Sequence, residues 1–212
     1  MNLQKFDEFD ISIISDPHVL AYDLIADTED FEKEIKIDRK LLVESEALLD
    51  QALSMVDKVS SQFLFLPGDL VKDGEYKSHE IVKKYLCDWK NAKEGREVFM
   101  IPGNHDLNNH RSYDFKNAKK TKNTTPKEFY ELYSFIYENP YVLEMYKDSE
   151  IFKNYLARVN KEYDREEKYQ YYAHGYFSYV ARIPSQINNS GLTIICLELS
   201  LIHISEPTRR RG

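Results

Sequence analysis

The residues best suited to chemistry come in three short clusters. Asp16-Pro17-His18 follows the run Ile11 to Ser15, Pro67-Gly68-Asp69 follows Phe63 to Leu66, and Gly103-Asn104-His105-Asp106 follows Val98 to Ile101 across Pro102. Each is an apolar, strand-like run stopped by Pro or Gly, with polar side chains directly after it. Asp and His together suit Mn²⁺, Fe²⁺ or Zn²⁺ better than Ca²⁺, which takes oxygen alone. Asp16 and His18 occupy alternate positions of an extended segment and can reach one ion. Asp69 has two carboxylate oxygens and can bridge two ions, while Asn104 offers a neutral carbonyl oxygen to the second. Two divalent ions about 3.5–4 Å apart clamp the attacking and leaving oxygens of an in-line phosphoryl displacement and bring a bridging water close to neutral pKa. No side-chain nucleophile is then needed. His105 can stabilise the transferring phosphoryl group or protonate the leaving alkoxide. Asp106 beside it can orient that imidazole. One such cluster is an ordinary surface turn; three in this order, each at a strand end, are a signal.

Strand ends converge only if a sheet brings them together. In open α/β sheets, ligands bind just beyond the carboxyl ends of the strands. The spacing predicts strand, helix, strand, helix, strand, and hence parallel pairing with right-handed crossovers. Asp38 reads as the N-cap of a long helix to about Lys58, with Leu41, Leu42, Leu48, Leu49, Ala52, Leu53 and Val56 on its core face. Ser78 reads as the cap of a helix to about Ala92, with Ile81, Val82, Tyr85, Leu86 and Trp89 inward and Gly95 ending it. The acidic stretch 23–34 reads as a solvated rim. The polar stretch 108–125, with Lys116, Lys119, Lys120 and Lys122, reads as a mobile surface loop or, less simply, a phosphate-gripping lid. Helices are expected over Pro126 to Tyr137 and from Asp148 to about Arg158. Phe177 to Ile183 and Leu192 to Leu197 read as two strands able to open a second sheet. The tyrosine-rich segment 155–179 reads as core or subdomain packing, since aromatic area mostly serves burial, with a stacking platform for a base as the alternative. His79, His110 and His174 follow no strand end and read as ordinary surface or loop histidines.

The bulk properties bound the choice. The chain has 212 residues, 42% of them hydrophobic, enough for one α/β domain. No apolar run reaches the length of a membrane span, and the first residues lack a signal-peptide pattern. Two cysteines, Cys87 and Cys196, make no disulfide framework; buried free thiols in a reducing, cytoplasmic setting fit them. A net charge of −7 argues against a nucleic-acid polymer as partner; an anionic substrate would need local positive charge, which bound metal ions could supply.

Asp16-x-His18, Gly68-Asp69-x-x-x-x-Gly74 and Gly103-Asn104-His105-Asp106 together resemble the first three signature blocks of the calcineurin-like metallophosphoesterases. The wider likeness runs over about 9–198, and Leu41 to Glu80 with Asn104 to Asn109 resemble the bacterial cyclic-nucleotide-phosphodiesterase-like branch. The resemblance implies an αββα sandwich with a dinuclear site. Asp16, His18 and Asp69 would hold the first ion, Asp69 and Asn104 the second, and His105 would be the catalytic histidine. It further implies a lone downstream His and a Gly-His-x-His pair, and neither pattern occurs here. Residues 199–212 resemble a translated sequencing adapter, so the expectation is a truncated single domain over 1–198 with a foreign tail. The intact product is then a metal-dependent phosphodiesterase on a small or cyclic-nucleotide substrate, and this fragment is largely inactive. A phosphomonoesterase or protein phosphatase on the same scaffold, or a non-catalytic module, are the alternatives.

Overall fold

A computed structural model of the chain describes residues 3–38, 40–162, 167–173, 175–187 and 191–198. The tail 199–212 and His174 lie outside them. The fold is mixed α/β, and the chain divides into two compact units, Asp10–Tyr133 and Met1–Phe9 with Ser134–Gly212.

The first unit carries β1 (Ile11–Ile13), α1 (Glu29–Ile37), α2 (Ser45–Lys58), β2 (Phe63–Leu66), α3 (Tyr76–Ala92), β3 (Glu97–Met100), β4 (Tyr113–Asp114), β5 (Lys119–Lys120) and α4 (Pro126–Leu132). Strands β1, β2 and β3 form a parallel sheet in that order, in the register Ile13 to Phe65 and Leu66 to Met100. Parallel strands are covered on both faces and so read as unbroken apolar runs. Phe63, Leu64, Leu66, Val98, Phe99 and Met100 are all buried, whereas the outer strand β1 leaves Ile11 and Ile13 exposed.

The acidic rim expected over 23–34 is in large part a helix. Thr28 caps α1 by accepting from the Phe31 amide, and Glu29, Asp30 and Glu32 fall in its first turn, where the helix dipole favours negative charge. Phe31 then packs with Leu20, Ala21, Leu24, Leu42 and Phe115. The long helix expected after Asp38 starts later, at Ser45. Leu41 therefore precedes it, and Leu48 falls off the stripe formed by Leu49, Leu53 and Val56; both are exposed. Ser78 does not cap α3. It is buried within the first turns, and its hydroxyl accepts from the Ala21 amide at 3.0 Å, tying the loop after β1 to the helix.

The polar loop after Asp106 contains the β4–β5 hairpin. Helix α4 opens with a capping box: Thr125 Oγ1 accepts from the Glu128 amide at 3.2 Å, and Glu128 Oε2 accepts from the Thr125 amide at 2.9 Å. Thr125→Ala leaves the Glu128 amide without that acceptor and is expected to cost about 1 kcal/mol, read as a lower urea midpoint at unchanged slope. The helix expected to run through Tyr137 breaks at Tyr133 into α4 and the short α5 (Ser134–Tyr137).

The second unit holds α5, β6 (Val142–Met145), α6 (Glu150–Glu162), β7 (Tyr179–Pro184) and β8 (Gly191–Cys196). Its antiparallel sheet has the order β6-β7-β8, and β6 is a strand the sequence pattern did not offer. Tyr176 and Tyr179 of the tyrosine-rich segment are buried, with Tyr137, Tyr141, Phe152 and Phe177 beside them, but Tyr155, Tyr171 and Tyr172 are only half-buried, and Tyr163 lies outside the described residues. Cys87 and Cys196 are free but only half-buried, a correction to the fully buried thiols expected. Among the described residues, no helix is long and apolar enough to cross a membrane.

Candidate metal centre

The sheet does not stop pairing where its strands end. The His18 amide donates to the Asp69 carbonyl at 3.1 Å, Val19 to Leu70 at 2.9 Å, and Lys72 returns a bond to Val19 at 3.1 Å. These bonds hold the loop after β1 against the loop after β2. The loops after β2 and β3 come closer still. A Cβ on Gly68 would sit 2.7 Å from the Gly103 nitrogen, and one on Gly103 would collide with Asp69, so only glycine permits this approach. The Asp69 Oδ1 then accepts from the His105 amide at 2.9 Å.

Asp16, His18 and Asp69 each have positive φ, at 52°, 44° and 51°. That left-handed conformation costs energy in a non-glycine residue, and such strain gathers at functional sites. Its result is visible: Asp16, His18 and Asp69 each aim one ligand atom so that the three lie within 4.8 Å of one another. One nitrogen with two carboxylates fits a borderline divalent cation. The His18 Nδ1 lies 3.5 Å from the Val71 carbonyl, which leaves Nε2 as the nitrogen available for ligation. Burial lowers the His18 pKa, and the Lys40 charge adds to the effect, so the imidazole is kept in the neutral form a metal requires. The geometry therefore fits an ion held by these three side chains. Asn104 lies on the same tight loop, exposed, one residue before the amide that binds Asp69.

The His105 ring stands edge-on to His18, with centroids 5.0 Å apart. Its Nδ1 is 2.6 Å from the Lys72 carbonyl oxygen and 3.2 Å from Asp73 Oδ1. Both are acceptors, so Nδ1 carries the proton and Nε2 does not. The bond to Asp73 raises the His105 pKa, against burial and the nearby Lys40. Burial works to raise the Asp73 pKa, but the bonds from His105 and Lys72 pull it down to about 2.

Asp106 does not touch this ring as expected. It is fully buried, and its carboxylate accepts from the Val71 amide at 3.1 Å and the Gly103 amide at 2.7 Å. It braces the backbone of two site loops, and the contact expected of it belongs to Asp73. Burial nonetheless pushes the Asp106 pKa up to about 7, despite the amide bonds it accepts. Asp73 was legible only as one more charge in the Gly68–Gly74 loop. Lys72 beside it is buried and pairs with Asp73 and, at 2.6 Å, with Glu34 of α1.

His79 is no surface residue. It is fully buried in α3, with Nδ1 3.0 Å from the Tyr133 hydroxyl and Nε2 2.9 Å from the Asp106 carbonyl. It thus supports the residue that braces the loops. His110 is exposed, as expected.

No curated protein is similar enough to this chain to register as a relative. The sequence profile of the calcineurin-like phosphoesterases, in contrast, matches residues 9–193, which include all three strand-end loops. The chain belongs to the calcineurin-like phosphoesterases, a family of metal-dependent phosphoester hydrolases.

Proposed function

We propose that this chain is built to hydrolyse small phosphodiesters, cyclic nucleotides among them, at a two-ion centre. The observation that carries the reading is the convergence of Asp16, His18 and Asp69 within 4.8 Å, with the His105 ring beside them. Asp16, His18 and Asp69 would hold the first ion, and Asp69 with Asn104 the second. When bound, the ions supply an activated water and neutralise charge on the phosphoryl oxygens. His105 has the reach and proton placement to serve the leaving oxygen through Nε2, and Asp73 keeps its ring aligned through Nδ1. Asp106 acts through the loops it braces.

A cleft of about 910 Å³ opens beside His105, lined in part by Tyr113, Phe115 and Arg111. That volume accommodates a nucleotide-sized ester. The second ion has two donors among the named residues, so it is held more loosely than the first, and turnover by this chain is expected to be slow. The two free cysteines fit a cytoplasmic setting.

The test is a hydrolysis profile with Mn²⁺ over bis(p-nitrophenyl) phosphate, p-nitrophenyl phosphate, cyclic nucleotides and phosphopeptides. The diesters should be cleaved fastest, and a chelator should stop all cleavage. Preference for the monoester or the peptides would favour a phosphatase instead.

A further inference from the structure

Lys40 lies in the turn between α1 and α2, outside every cluster the sequence marked out. Its Nζ is 3.2 Å from the Lys72 carbonyl oxygen and 3.2 Å from His105 Nδ1. It also lines two clefts at once. One, of about 300 Å³, is walled by Asp16, Pro17 and His18; the other is the 910 Å³ cleft with His105 and Asp73. Among the described residues, no other lysine or arginine lines both.

The ammonium is poorly served by the protein. The acids whose field it feels most, Asp38 and Asp73, are paired with the buried Lys72. His105 Nδ1 already donates to the Lys72 carbonyl at 2.6 Å, so it cannot accept from Lys40. Among the described residues that leaves one acceptor, the Lys72 carbonyl, for three N–H bonds. A half-buried cation with spare donors, beside a metal-ligand cluster, is completed by an anionic oxygen.

We propose that Lys40 is a substrate-contacting residue that grips a non-bridging oxygen of the phosphoryl group. It would add a positive charge next to the proposed ion ligands, in the cleft that Asp16 and His18 wall. The proposal rests on the phosphoesterase reading above. It explains why a cation is placed against His105 although it opposes protonation of that ring.

The experiment is calorimetric titration of inorganic phosphate into the Mn²⁺-loaded 212-residue protein and its Lys40→Met and Lys40→Arg variants, with bound manganese counted in each. Loss of a charge-assisted bond should weaken phosphate about tenfold or more in Lys40→Met. Lys40→Arg should lose less, and the manganese count should be the same in all three. Lys40→Gln, read in the same way, replaces Lys40→Met if that variant does not fold. Phosphate binding as tight as the parent's in Lys40→Met overturns the proposal. So does a parallel loss of manganese, which would make Lys40 a support for the metal ligands, or a loaded parent that takes up no phosphate at millimolar concentration. A parent that takes up no manganese overturns the phosphoesterase reading instead.

Discussion

Asp69→Asn should lower the affinity for Mn²⁺ or Zn²⁺ by more than about 100-fold, because partners one step removed from a metal already cost 10–100-fold when lost. Asp69 joins everything at the site. Its carboxylate lies within ligand distance of Asp16 and His18, and its Oδ1 accepts from the His105 amide. Asparagine keeps the shape, tolerates the positive φ of 51° and can still accept that amide. The substitution therefore removes charge and little else. In chelator, the variant should unfold at the same denaturant concentration as the parent, or slightly higher, since one of two crowded carboxylates is gone. Metal retained on Asp69→Asn after dialysis, at the parent's stoichiometry, would sink the assignment. Equal destabilisation with and without chelator would make Asp69 a structural residue.

His79 should give the largest effect on stability, and one that depends on pH. Burial lowers its pKa to about 4 in the folded chain, against 6.5 as the ordinary value. A depressed histidine contributes stability that is fully present above the unfolded pKa and is lost as pH falls through the folded one. Asp106 and Glu75 are pushed the other way, each to about 7 by burial, so the parent's own profile mixes opposing slopes. The difference between the parent and His79→Gln isolates the histidine. Gln can offer a donor and an acceptor where His79 meets the Asp106 carbonyl and the Tyr133 hydroxyl, and it does not titrate. The parent's advantage over the variant should shrink by about 3 kcal/mol between pH 7 and pH 4, at 1.36 kcal/mol per pKa unit. Urea unfolding at the two pH values measures it. An advantage that holds constant would show that His79 takes up a proton as readily in the fold as in the unfolded chain, against this account.

The convergence of Asp16, His18 and Asp69 was far more legible in the sequence than the elements around it. Asp16, His18, Asp69 and His105 stand directly after apolar runs, and a parallel sheet has only one edge to which its strand ends can deliver them. Local chemistry fixes that arrangement: Pro17, Gly68 and Gly103 each force the turn that aims the next side chain. Residues that act from a distance left no comparable mark. Lys40 reaches His105 because α1 stops at Ile37 and the chain then turns back, while Asp73 reaches it from the far end of the loop after β2. The acidic residues over 23–34 look solvated in sequence because three of them serve a helix dipole while a single phenylalanine anchors the helix. His79 looked ordinary because its hydrogen-bond partners, Tyr133 and Asp106, lie 54 and 27 residues away. Asp106 was singled out for a contact it does not make: its neighbour in sequence, His105, is not its partner in space, because the β3 loop turns so tightly that consecutive side chains diverge.

The central claim is that Asp16, His18 and Asp69 converge to hold a metal ion. Anomalous diffraction at the zinc edge, from crystals soaked in Zn²⁺, tests it most directly. The account predicts a peak at about 2.0–2.2 Å from one atom of each of the three side chains. A well-occupied zinc bound elsewhere on the chain, with no density among these three residues, would contradict it.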